Sequence, residues 1–392
     1  MAESPPNAVP GTAPDAAPDA APGAPAPNTP APRPEAPRPH RPGALPRTGE
    51  GAATGAGRDL WCLLLVACAV PLAGSAADFA RLAGAPVHGW SGAVLPWLRL
   101  LCSLATGCWL AWLLTARRPR EPRPSPPAAR QRTVLALTAV AGTARATDLV
   151  WVGEAQEVVG SLATTVLLAW LCGELAVRHG AGWRGLGIGP SGARTPAGRL
   201  TAVMVSGAVF VAAYTTVTWM ARLQVTLPVT APGLPVLREA QSTALGWTGP
   251  ADMVANVLFT GVAEEMVLVG AVIVLGRAAG RPVWALCAVS VLVRVVAHLY
   301  LGVPGVALVL LGSCALFLYL RCGRLTPLVA GHVVYDLAAS CAPSPAALDS
   351  YALIALVGAG AAFAAWLHWF APPTASEGGR DGSSSRRSPR SR

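Results

Sequence analysis

Five side chains in the second half of the sequence are of types that activate water or hold a metal, and all stand in segments otherwise fit for lipid. Glu264 and Glu265 are adjacent in FTGVAEEMVLVGAVIVLG, His298 stands in VLVRVVAHLY, and His332 and Asp336 stand four apart in LVAGHVVYD. A carboxylate at the centre of a bilayer costs about 2.5 to 3.5 kcal/mol on insertion scales, so such residues are functional candidates by default. Adjacent residues on a helix are about 100° apart, so both glutamates can face one bundle interior without meeting at one point. His332 and Asp336 share a helix face at their spacing, as do Arg294 and His298.

A glutamate in a desolvated cavity can serve as general base, with a nearby imidazole orienting the water. The same inventory suits a divalent metal such as zinc, with Glu264, His298 and His332 as ligands, although no cofactor is required. The compact zinc-protease motif HExxH is absent. Nine cysteines form no CxxC pair, which argues against a disulfide framework or a cysteine zinc site. No Ser or Cys stands beside a His as a nucleophile. Ser290 lies eight residues before His298, but serines are common in membrane helices. Hydrolysis by activated water is the better chemical expectation. Two other classes stay open: a proton- or cation-coupled transporter using the same groups as a relay, and a membrane scaffold without catalysis.

Bland explanations cover other polar residues. Arg145 and Asp148 can neutralise each other on one helix face, while Arg99 and Glu174 stand near span ends, where long side chains snorkel. A lone intramembrane His is more often a packing residue than a ligand. Two adjacent acids with no obvious cation on their own helix have no such cheap explanation.

The elements that must position these groups are apolar helices. Of the 392 residues, 53% are hydrophobic and 13% charged, about half the charged share of soluble domains, which indicates an all-α polytopic membrane bundle. Ten stretches approach the roughly 20 apolar residues of a crossing. They begin near residues 60, 94, 133, 158, 200, 251, 283, 303, 325 and 351. Arginines concentrate in alternate loops, so both termini are expected to be cytoplasmic, in an integral, multi-pass protein of the cell membrane. The net charge of +10 belongs to those loops, and no nucleic-acid partner is expected.

By composition, residues 1–58 form a disordered Pro/Ala-rich tail and 372–392 a disordered basic one. Residues 59–222 are expected to hold the N-terminal helices and 223–250 an extracytoplasmic loop. The catalytic core is placed at 251–342 and a last helix at 343–371.

An acidic pair in one span, a His in the next, and HxxxN or HxxxD two spans later resemble the CPBP family of intramembrane endopeptidases, which includes CAAX-protein proteases and bacteriocin-processing or self-immunity proteins. The family's EExxxR, FxxxH and HxxxN/D motifs read here as Glu264-Glu265 to Val269, Arg294 to His298, and His332 to Asp336. The resemblance implies a peptidase acting on a membrane-associated protein or peptide within the lipid bilayer. In it Glu264 activates water, His298 holds that water, Glu265 supports the site electrostatically, and His332 with Asp336 completes it. Two positions depart from the family. Val269 stands where an Arg is usual, and Arg294 where a Phe is usual. The expectation is that Arg294 supplies the missing cation from the neighbouring helix.

Overall fold

The computed structural model describes residues 50–86, 90–115, 127–151, 153–189, 196–237 and 249–341, with isolated positions at 245, 247 and 360. The two tails, apart from 50–58, and the expected last helix at 343–371, apart from 360, lie outside the described residues.

Among the described residues every regular element is helical. In chain order they are α1 (Glu50–Leu82), α2 (Trp90–Thr115), α3 (Pro127–Asp148), α4 (Glu154–Arg178), the single turn α5 (Gly182–Gly185) and α6 (Pro196–Thr230). Then come α7 (Pro250–Gly261), a π-helical stretch (Val262–Ala271) and α8 (Val272–Ala278), which run on as one rod. The chain closes with α9 (Val283–Ala297), two short 3₁₀ turns (Leu299–Leu301 and Val303–Ala307), α10 (Leu308–Cys322) and α11 (Thr326–Cys341). Helix α1 thus starts within the segment expected to be a tail, and α6 runs eight residues into the expected loop.

Six of these stretches are long and apolar enough to cross a membrane: Ala53–Leu82, Gly92–Thr115, Glu154–Arg178, Pro196–Thr230, Pro250–Ala278 and Val303–Cys322. Their outward faces are apolar. Trp61, Leu65, Trp97, Trp219, Trp284 and Phe317 are all exposed, as side chains facing acyl chains should be, because in lipid such exposure has no hydrophobic cost. Helix α9 is also apolar but only 15 residues long.

The rod carrying the acidic pair is the most enclosed candidate span, 78% buried inside the protein. Its start is held by a side chain from another helix. Glu154, at the start of α4, accepts a hydrogen bond from the Ala251 backbone N–H at 3.2 Å, satisfying a donor that the first turn of α7 leaves open.

Helix α9 ends in an apolar region where a continuous span is expected. The residues after it explain the break. Gly302 has φ +75 and ψ −154, a conformation essentially reserved for glycine, and Pro304 follows. At Gly302 the chain forms an isolated antiparallel bridge with Val236. The Val303 N–H donates to the Pro235 carbonyl at 3.0 Å and the Leu237 N–H to the Leu301 carbonyl at 3.3 Å. The backbone groups freed by the break thereby gain partners, as non-helical chain at membrane depth requires.

Candidate active site

The five expected residues and Arg294 come together from three helices: the π-helical stretch, the C-terminal end of α9, and α11. Arg294 is the hub. It is fully buried, and its Nη2 donates to Glu265 Oε1 at 2.9 Å and to the Glu264 main-chain carbonyl at 3.2 Å. Its Nε faces Glu264 Oε2 at 3.3 Å. One cation from α9 therefore touches both carboxylates, where the family pattern would place it four residues after Glu265. Val269, at that usual position, is fully enclosed in the apolar core. Gly312 on α10 lies against the long side chain, where an added Cβ would be in ordinary contact at 3.4 Å from Arg294 Cδ.

Glu265 Oε1 also accepts from His332 Nδ1 at 2.7 Å, and His332 Nε2 faces Asp336 Oδ2 at 3.4 Å. A ring with a carboxylate oxygen at each nitrogen is matched by its doubly protonated form, because an ionised carboxylate only accepts. Asp336 thus works through His332 rather than as a donor of its own.

His298 does not sit in mid-helix as expected. It is the residue after the last turn of α9, with φ −115 and ψ 17. There its Nδ1–H donates to the Arg294 carbonyl at 2.8 Å. A carbonyl can only accept, so this bond fixes a hydrogen on Nδ1, and in the neutral ring Nε2 then carries the lone pair. That nitrogen faces Glu264 Oε1 at 3.4 Å.

The side chains form a gradient of access. Arg294 and Glu265 are 0% exposed and Glu264 9%, whereas His298 is 17% and Asp336 27% exposed. The arrangement is a carboxylate–imidazole pair at an opening, braced from beneath by an arginine and a second carboxylate.

Among the described residues no three His, Cys, Asp or Glu side chains form a ready-made ion site, and in this arrangement both nitrogens of His332 face carboxylate oxygens.

Two supporting residues escaped sequence reasoning. Ser75 of α1 donates to the Ala297 carbonyl beside His298, a contact across 222 positions with no local signal. Gly312 stands in a plain apolar run, and only its packing reveals its place against Arg294. The π-helical geometry around Glu264 and Glu265 was equally invisible, although such turns are frequent at functional sites.

Fold and site together define a helical, multi-pass membrane protein with a buried carboxylate–imidazole centre. Residues 246–338 match the family described as type II CAAX prenyl endopeptidase, Rce1-like. That segment, under a quarter of the chain, contains all six site residues, and the match supports the likeness to the CPBP family of intramembrane endopeptidases. No curated protein and no solved structure matches the chain.

Proposed function

We propose that the chain is an intramembrane endopeptidase that cleaves a peptide bond of a membrane-associated protein or peptide, using water activated by Glu264 and His298. The observation that carries this reading is the Glu264 to His298 contact. A carboxylate oxygen and a ring nitrogen whose hydrogen is on its far side lie 3.4 Å apart. With the ring neutral both are acceptors, and a water donating one hydrogen to each reconciles them.

From that position Glu264 takes a proton as the water oxygen attacks the scissile carbonyl carbon, and the carbonyl π pair moves onto its oxygen. Collapse of the tetrahedral intermediate expels the amine, which receives the proton held by Glu264. Arg294 fixes the orientation of the carboxylate from behind. His332, charged between Glu265 and Asp336, lends positive potential where the oxyanion develops. Both termini are proposed to face the cytoplasm, which reporter fusions at each end would test.

Glu264→Gln separates the functional classes. Under this proposal, a membrane proteome from cells carrying it accumulates uncleaved precursors. Loss of ion-driven uptake instead would mean a transporter, and no change a scaffold. Exhaustive chelation of the purified protein should leave hydrolysis intact; loss of activity restored by zinc would return the metal to the mechanism.

A further inference from the structure

The site leaves three buried polar atoms without a hydrogen bond or an ion-pair partner: Glu265 Oε2, Arg294 Nη1 and Ser290 Oγ. Ser290 stands one turn before Arg294 on the same face of α9 and is 1% exposed. Its hydroxyl differs from its peers. Thr138, Thr165, Ser206 and Thr216, all buried in helices, each donate to the carbonyl four residues earlier. Among the described residues Ser290 carries the one buried Ser or Thr hydroxyl with no partner.

Unpartnered buried polar groups cost about 1 to 3 kcal/mol each, and more when charged. Such groups are tolerated where an internal water joins them, since such a water makes two to four hydrogen bonds. We infer that Ser290 and Arg294, one turn apart on the same helix face, hold an internal water distinct from the reactive water, and that Ser290 is a positioning residue for the arginine. The water accepts from Arg294 Nη1, bonds Ser290 Oγ, and donates to the free oxygen of Glu265. The guanidinium is thereby held at Nη1 as well as by the carboxylates, and the Glu264 carboxylate keeps its aim at His298.

The catalytic arm of this inference rests on the proposed peptidase reading; the structural arm does not. Ser290→Thr keeps the hydroxyl and Ser290→Val is its near-isostere without one. With the purified full-length protein and a farnesylated peptide ending in Cys-aliphatic-aliphatic-X, the Thr variant should stay within about twofold of the parent. The Val variant should lose about tenfold in kcat with KM unchanged, and Ser290→Ala should do the same if Val disturbs packing. A high-resolution experimental structure should show ordered density within hydrogen-bond distance of both Ser290 Oγ and Arg294 Nη1. The inference is overturned if that structure has Ser290 Oγ bonded to the Leu286 carbonyl with no density beside Arg294, or if the Ala and Val variants keep the parent kcat. If the parent cleaves no peptide, the peptidase reading fails for that substrate and the density alone decides the water site.

Discussion

Two regions of this bundle bury an arginine between carboxylates, and they differ in what surrounds the charges. In the accessory helices Arg145 of α3 meets Asp148 at 3.3 Å, reaches Glu157 of α4, and donates to Ser161 Oγ at 2.8 Å. Arg99 of α2 joins Glu157 at 2.7 Å. Two arginines face two acids, and no imidazole enters. Around Arg294, one arginine faces Glu264 and Glu265, with Asp336 and two histidines adjoining. The first set is balanced and ties three helices in register. The second carries excess acid and two imidazoles. A buried ion pair alone is therefore weak support for function; charge imbalance with titratable neighbours is stronger.

The comparison can be broken most sharply at Glu264. Glu264→Gln keeps the shape and removes the base, so kcat should fall by a factor on the order of 10³ with the folded fraction unchanged. Rates near the parent's would remove Glu264 from the chemistry.

Arg294→Phe restores the family's usual residue but strands two buried carboxylates. Breaking such a set costs about 3 to 5 kcal/mol, and at least a hundredfold of activity should go with it. Adding Val269→Arg returns the cation to the family's position and should recover at least tenfold. A double variant no better than the single would mean that the two positions are not interchangeable.

Arg145→Met is the counterpart in the accessory network. A loss of about 3 kcal/mol is expected there too, seen as a lower midpoint of thermal unfolding in detergent. Turnover per folded molecule should match the parent. A selective fall in kcat would mean that this network serves the reaction.

The smallest effect is expected at Glu154, which is exposed. Glu154→Ala removes one hydrogen bond at the start of α7 and should cost about 1 kcal/mol or less, with kcat nearly unchanged.

Much of the centre was legible before folding, because acids and imidazoles in apolar runs have few other reasons to exist. The spacing of His332 and Asp336 put them on one face, and Arg294, expected to supply the cation that Val269 does not, lies against both glutamates. Periodicity failed where the chain leaves the α-helix. The stretch beginning near residue 283 was expected to run for about 20 residues, so His298 was expected within a helix rather than at its end. Partners distant in sequence were invisible for a different reason. Arg99 joins Glu157, 58 residues away, rather than simply snorkelling, and that pairing has no local pattern.

Under the proposed peptidase reading, Ser75 bears on how short an active fragment could be. The matched segment begins at residue 246, yet the last carbonyl of α9 is held from α1, and α1 also packs on α8 and on the turn after His298. A fragment cut to the matched residues keeps every reacting group but loses the wall on which His298 rests. It should bind detergent as a loose helical assembly and turn over little substrate, whereas co-expressing α1 as a separate piece should recover part of the activity. The first helix thus packs against the candidate site from outside the stretch that matches the family.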